Sequence, residues 1–556
     1  MWETAGNRYL GMYVLLTSVA VCLFISPINS IDPVNLPKLS LLIVFAFVAA
    51  GFVVAKVDFL KDGKSKPVLI LTGLFILQLF LVLLVDNRDF ALKFYGIYGR
   101  NTGFAAYLSL IFLFIASVAS GSVILLKRYL ISLVAAGGLL ALYGIAQSKG
   151  YDFYQFDLGI GTKTFGSFGN SNFHSAFMGI TAASATSIML FSRIKIYNKA
   201  LLLFVTGLSI YNISLSSQQG YLNFAAGVAA AGVIFLLKSK RPILGWIALA
   251  LSSATGLLVL FGLLNQGPLA DAIYKSSLQA RNFYWRAAFN MMLEHPLFGV
   301  GMDGYGDWYM RARPQDYLTS SFTTVSDTAH SVPLDIGSNG GFPLFLIYLG
   351  IIVLVLTSIV RIMKRNSGFD VIFTSIVSAW VAYQAQSLIS INQLGLGVWG
   401  WSLSGLIIGY ELKTRPDEKL ASPQQGKKGR PVHKSISALA VVSTFIMTGS
   451  GIAIALPPYL AAGKFYKALQ SGDANVIESA AYIKPLDRFR VLYVAQILQE
   501  NKLESNAIAI LRDASILYPD SSQVWTRWAG IASASPSDVA RAKAQMKRLD
   551  PYSPDL

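Results

Sequence analysis

Thirteen apolar runs, most of them 17 to 23 residues long, constrain this chain more than any other feature. At 1.5 Å per helical residue, about 20 residues cross the ~30 Å hydrocarbon layer of a bilayer. Inside that layer every backbone N–H and C=O must be satisfied within the segment, so spanning runs of this length are helices. The runs are 10–26, 39–55, 68–85, 104–126, 129–146, 173–191, 200–215, 221–237, 243–264, 342–360, 371–389, 394–410 and 436–456. They predict an all-α polytopic membrane protein. Only 13% of residues are charged, against about 25% in a soluble protein.

The net charge of +17 is therefore not read as nucleic-acid binding. Basic residues of membrane proteins gather in cytoplasmic loops. Here they occupy alternate loops: Lys56, Lys61, Lys64 and Lys66; Lys127 and Arg128; Arg193, Lys195 and Lys199; Lys238, Lys240 and Arg241; Arg361, Lys364 and Arg365; and a basic stretch from Lys413 to Lys434. Placing all six on the cytoplasmic side puts the N-terminus inside. It leaves 86–103, 147–172, the short turn 216–220 and the long loop 265–341 outside. The first run has no A-x-A site after it and reads as a retained helix. The one cysteine, Cys22, lies in that run, so no disulfide framework is expected.

Five parts follow. Residues 1–412 form a membrane body that contains the long loop 265–341. A Pro-, Gly- and charge-rich linker, 413–435, is expected to be flexible and cytoplasmic. One added span, 436–457, leads to an extracytoplasmic tail, 458–556. In that tail apolar residues recur at helical spacing. Pro485 and Pro519 stand 34 residues apart, the period of a tetratricopeptide repeat, and Ala507, Ala514 and Tyr518 sit where that repeat places small and aromatic residues. A small helical-repeat domain is expected; an unrelated helical domain is the alternative.

The long loop carries the chemistry. Loops beyond about 12–15 residues are usually functional or disordered, and paired glycines with many aromatic residues argue for order. It reads RNFYWRAAFNMMLEHPLFGVGMDGYGDWYMRARPQ from Arg281 and TTVSDTAHSVPLDIGSNGGFP from Thr323. Planar guanidinium groups grip phosphate oxygens in a fork. Outward-facing cations are Arg100 in GIYGRNTG, Lys163 in GTKTFGSFGNSNF, and Arg281, Arg286, Arg311 and Arg313. Each could equally meet lipid headgroups or loop carboxylates. His330 could take a proton from an acceptor hydroxyl, with Asp327 or Asp335 orienting its ring. Its plainer reading is a polar residue at a helix entrance. Gln218 and Gln219, in SSQQGYL, could donate to a phosphate or sugar, or be solvated. No H-E-x-x-H, D-x-D or cysteine cluster occurs, so no metal or other cofactor is expected. A divalent ion at Asp303 or Asp307 is the one option left open.

Together these blocks resemble the superfamily of O-antigen ligases, O-antigen polymerases and bacterial O-oligosaccharyltransferases. Four pieces carry the resemblance: GIYGRNTG; GSFGNSNFHSAF, with Asn170 and Asn172; Arg281-x-x-x-Trp285 followed by HPLFGVGMDGYG, with Tyr305; and AHSVPLDIGSNGGFPLFLIYLG. Ser331 stands where the family has Asn, and Leu334 is displaced by one. The resemblance implies a GT-C-type bundle of about 12 spans. It also implies a metal-independent, inverting transfer of glycan from undecaprenyl pyrophosphate to a lipid, glycan or protein acceptor outside the bacterial plasma membrane. The family's functional Arg and His fall on Arg281 and His330. Its frequent Arg before the eighth span is absent; Ser217, Gln218, Gln219 and Gly220 stand there, and a neutral amide cannot supply that charge. The donor pyrophosphate is then expected to meet Arg281, Arg100, Lys163, Gln218 and Arg313, with Asp327, Gln219, Arg286, Asn170, Asn172 and Tyr305 in support. A polymerase of the same superfamily is the nearest alternative and a flippase a more distant one. The tail is expected to present an acceptor or to recruit an envelope protein.

Overall fold

In the computed structural model of the chain the described residues are 5–28, 30–152, 163–270, 276–318, 325–416 and 438–553. Among them every regular element is a helix. In chain order these are α1 (Ala5–Leu23), α2 (Asn35–Val54), α3 (Val57–Lys61), α4 (Lys66–Val85), α5 (Phe90–Tyr95), α6 (Phe104–Ser120), α7 (Val123–Ser148) and α8 (Ser171–Phe191). Next come α9 (Ile196–Leu215), α10 (Gln219–Leu237), α11 (Pro242–Leu263), α12 (Ser276–Glu294), α13 (Tyr305–Ala312), α14 (Val332–Arg365), α15 (Val371–Ile389) and α16 (Leu394–Thr414). The last are α17 (Ala438–Gln470), α18 (Ala474–Ala480), α19 (Arg488–Glu500), α20 (Glu504–Leu517), α21 (Ser522–Ala529) and α22 (Pro536–Leu549).

Ten of these helices are long and apolar enough to cross a membrane, and two shorter apolar ones cover Tyr9–Leu23 and Phe104–Ser120. With the less apolar α16, every expected span coincides with a helix. The fourth ends early, at Ser120, because Gly121 breaks it and the Ser122 hydroxyl caps α7 by accepting from the Leu125 N–H at 3.3 Å. The linker expected at 413–435 lies mostly outside the described residues.

Without water to drive association, membrane helices pack through small residues that let backbones approach. α16 does this with Gly405 and Gly409. A Cβ at either would lie 2.4 Å from the Phe114 carbonyl oxygen or 2.3 Å from that of Val118, on α6. Gly51 plays the same part between α2 and α17, where a Cβ would stand 2.6 Å from Thr444 Cα. Polar side chains bond across the bundle: the Ser378 hydroxyl donates to the Gly227 carbonyl at 2.8 Å, and Trp380 Nε1 donates to Ser404 at 2.9 Å. Lys38, wholly buried, places its ammonium on the carbonyls of Val21, Cys22 and Phe24 at 2.7–2.9 Å and so completes the C-terminal end of α1. α11 buries only Gly245, Gly262 and Leu263, leaving its Leu, Ile and Phe side chains outward, as a lipid-facing helix requires.

Two features set up one end of the bundle. α14 kinks at Gly341, whose φ of 75° and close approach to the Pro296 and Leu297 carbonyls (2.7 Å from a built Cβ) admit no side chain. Gln78 reaches the kink and donates to the Leu297 and Gly340 carbonyls at 2.6 and 3.2 Å. The nine residues ahead of the kink are thus a separate polar helical piece, begun ten residues before the expected span. α17 in turn runs unbroken to Gln470, past the expected start of the tail at 458, and delivers α18–α22 to the same end of the bundle.

Candidate active site

The stretch between α5 and α6, Gly96 to Thr102, is folded around a buried carboxylate. Asp303 accepts from the Ile97 and Thr102 N–H groups at 2.8 and 3.2 Å and from the Thr102 hydroxyl at 3.0 Å. Gly96, at φ 88°, is obligatory: a Cβ there would sit 2.3 Å from Asp303 Oδ2. This holds Arg100 over the long loop, where its guanidinium grips Asp327 in a fork at 2.8 and 2.9 Å. Asp327 opens a tight segment. The Ser326 hydroxyl donates to the Thr328 carbonyl at 2.7 Å, and Asp335, in the first turn of α14, accepts from the Ala329 N–H at 2.6 Å. So pinned, the next residue is forced into the left-handed region: His330 has φ 51°. Left-handed backbone costs a non-glycine residue about 1–2 kcal/mol, and strain of this kind gathers at functional sites.

The imidazole is set by stacking. Tyr284 lies against it, ring centroids 5.3 Å apart at 26°. Tyr284 is fixed from below, since its carbonyl accepts from the buried Tyr305 hydroxyl at 2.8 Å, and the Tyr305 N–H donates to Asn339 at 3.1 Å. One helical turn before Tyr284, on the same side of α12, is Arg281. It forms no ion pair among the described residues, and burial pulls its guanidinium down to about 10. Neither ring nitrogen of His330 has a hydrogen-bond partner among the described residues. Burial, then the charges of Arg281 and Arg100, hold this imidazole down to about 4 despite the opposing pull of Asp327. It is neutral near pH 7. Burial pushes the Asp327 carboxyl up, but Arg100 and His330 outweigh it and leave it below the usual range. The result is a neutral base beside two cations, one of them unpaired, at one end of a membrane bundle.

Of the residues expected at the site, Arg281, His330, Arg100, Asp327 and Tyr305 are brought together. Others are not. Arg313 is buried in a pair with Asp550, 2.7 and 2.9 Å to the two carboxylate oxygens, and so is committed to the C-terminal helices. Arg286 makes an exposed pair with Asp316 at 2.6 Å. Lys163 is exposed, and Asn170 caps α8 by accepting from the Asn172 N–H at 2.8 Å. Gln218 is exposed at the start of α10. Its neighbour Gln219 is half-buried, its amide atoms shielded from solvent and without a partner among the described residues. The carboxylates weighed as ion ligands are otherwise engaged, Asp303 by backbone and Asp307 by Arg488 at 2.5 Å. Among the described residues no group of three or more His, Cys, Asp or Glu is placed to hold a metal.

Sequence reasoning missed Tyr284, Asn339, Asn392 and Gln393. Tyr284 stands three residues after Arg281, a signal once that stretch is seen as helix. Asn392 and Gln393 stand in the short turn between α15 and α16, and with Arg100, Asp327 and Asn339 they line a small cavity of about 20 Å³, room for about one water.

Fold and site define a multi-pass helical membrane protein with a cationic, imidazole-bearing centre at one bilayer face. Residues 170–349, which hold both Arg281 and His330, match the family model described as O-antigen ligase, and over this stretch the chain is similar to that superfamily. The matched family implies a glycosyltransferase-type activity, O-antigen ligase-like in kind. No curated protein matches the chain.

Proposed function

We propose that the protein moves a glycan from undecaprenyl pyrophosphate to an acceptor hydroxyl at the outer face of the plasma membrane, with inversion and without a metal. The orientation rests on loop charge, which puts the Arg281 end of the bundle outside. One observation carries the reading: Arg281, half-buried and without an anionic partner among the described residues, stands beside a His330 that is neutral and makes no side-chain hydrogen bond among them. A guanidinium withdrawn from water and left unpaired is costly, and a bound phosphate relieves that cost.

In the reaction the acceptor oxygen attacks the anomeric carbon from the side opposite the pyrophosphate. The bond from that carbon to the pyrophosphate oxygen breaks, and its electron pair stays on the departing phosphate. Arg281 stabilises that growing charge, and Arg100 adds a second positive charge nearby. His330 accepts the acceptor's proton at a ring nitrogen. A neutral imidazole is the form required, and burial beside two cations maintains it. Asp327 holds Arg100 in place.

The test incubates the purified protein in detergent with labelled undecaprenyl-pyrophosphate glycan and candidate acceptors, chelator present. Glycosylated acceptor and released undecaprenyl pyrophosphate in equal amounts are expected. Intact donor with every lipid, glycan and protein acceptor would refute the reading.

A further inference from the structure

Asp335 is the acidic residue in the first turn of α14. It lies in the polar piece ahead of the Gly341 kink, outside the span, and is 6% exposed. Among the described residues its side chain makes one hydrogen bond, accepting from the Ala329 N–H at 2.6 Å. Ala329 is itself wholly buried, so its N–H has no solvent to turn to. That single bond ties α14 to the residue just before His330, where the backbone turns left-handed.

The charges around Asp335 do not balance if it is ionised. Asp303 and Asp327 line the same small cavity, and Arg100 is the one cation in that lining. Asp327 already holds Arg100 in a fork. Asp303 is satisfied by three donors, two N–H groups and the Thr102 hydroxyl. Asp335 has neither a cation nor a second donor. Tyr107 of α6 and Tyr305 of α13 stand near it as neutral groups, and His330 is neutral too. Asn392, also in the lining, is 4% exposed, with both amide atoms unpartnered among the described residues. An ionised Asp335 would be a third negative charge around one cation that is already paired. Burying a carboxylate without a partner is costly, and nearby carboxylates add to the cost. A carboxylic acid fits the same surroundings. Its carbonyl oxygen accepts from Ala329, and its hydroxyl is a donor turned to a polar cavity with room for about one water. Burial pushes this carboxyl up to about 8; the Ala329 N–H and Arg100 oppose the rise, and Asp303 and Asp327 add to it.

We propose that Asp335 is a positioning residue for His330 that works as a neutral acid, holding the Ala329 turn while uncharged and releasing it on ionising. The site then has an alkaline limit set by a group that does not touch the reacting atoms. The proposal rests on the glycan-transfer reading for its rate measurement alone; two readouts need no substrate, so the two ideas fail separately. Asp335→Asn mimics the acid, with an amide oxygen for Ala329 and an N–H donor in place of the hydroxyl. Asp335→Leu accepts nothing. Infrared difference spectra of the purified full-length protein in detergent, wild type minus Asp335→Asn, should show a carboxylic-acid C=O band at pH 7 that shrinks about tenfold by pH 9. Hydrogen exchange over residues 325–331, corrected for the intrinsic effect of pH, should quicken between pH 7 and 9 in wild type and hold steady in Asp335→Asn. In transfer at pH 7, Asp335→Asn should stay within about twofold of wild type, while Asp335→Leu should lose about tenfold or more in kcat with KM little changed. From pH 7 to 9 the wild-type rate should drop about tenfold and that of Asp335→Asn less than about twofold. Should Asp335→Leu not fold, the spectra, the exchange and the alkaline limb of Asp335→Asn decide alone. No acid band at pH 7, Asp335→Asn as slow as Asp335→Leu, or an alkaline fall shared by wild type and Asp335→Asn overturns the proposal.

Discussion

Replacing His330 by Gln should make the protein less sensitive to acid, because a neutral buried imidazole is a liability below its ordinary range. In the unfolded chain His330 titrates near 6.5; in the folded protein burial, Arg281 and Arg100 hold it at about 4. Between those values the unfolded chain carries a proton that the folded chain does not, so falling pH favours unfolding. Above 6.5 both forms are neutral and the effect vanishes; by pH 4 it is complete. At about 1.4 kcal/mol per pH unit, the upper bound is about 3 kcal/mol. Gln keeps a polar side chain and does not titrate. The left-handed backbone costs either side chain about 1–2 kcal/mol, so that term is shared and drops out of the comparison. Thermal unfolding in detergent, followed by intrinsic fluorescence from pH 7.5 to 4, gives both curves. Acid-labile groups remote from His330 cancel in the difference; Asp327, held down chiefly by Arg100 and in part by His330, contributes a smaller change of its own. The wild-type Tm should therefore fall more steeply than that of His330→Gln, nearly all of the gap arising below pH 6.5. Parallel curves would refute the burial and charge argument for His330.

Other perturbations follow from the same geometry. Arg313→Ala leaves Asp550 buried and unpaired, a loss of about 3–5 kcal/mol for such pairs; hydrogen exchange in Pro536–Leu549 should accelerate, and restoring Arg313 should slow it again. Gly96→Ala places a Cβ 2.3 Å from Asp303 Oδ2 at φ 88°; transfer should fall with little change in helix content by circular dichroism, because the loop holding Arg100 is displaced. Gly409→Leu drives a side chain into the Val118 carbonyl, 2.3 Å from the built Cβ; the purified protein should lose its monodisperse peak in size exclusion. Activity should hold nearly level from pH 7.5 to 5.5, since a base with a range near 4 is already unprotonated; a fall centred near 6.5 would place His330 in an ordinary, solvated setting.

The helices across the membrane are legible because an apolar run of that length has one satisfactory backbone state. Arg281 and His330 are legible through residue type and motif. What lies between them is not. The stretch RNFYWRAAFNMMLE mixes polar and aromatic residues without a clean apolar stripe, so it reads as loop although it is the helix that sets Arg281 one turn from Tyr284. Arg313 illustrates the other blind spot. Nothing near it in sequence reveals that its partner is Asp550, 237 residues on, so a cation expected at the phosphate proves to be a fastener. Asp303 likewise folds the Arg100 loop from a distance, and a shift of one residue separates exposed Gln218 from half-buried Gln219. Long-range pairing of charges is a tertiary fact, invisible to local pattern.

The most direct measurement is the initial rate of glycan transfer by purified, equally folded wild type, Arg281→Ala, His330→Ala and the double variant. Residues acting on one transition state are strongly non-additive. The account predicts that each single change removes nearly all transfer and that the double variant is scarcely slower than either. Full activity in a single variant, or losses that simply multiply, would contradict it.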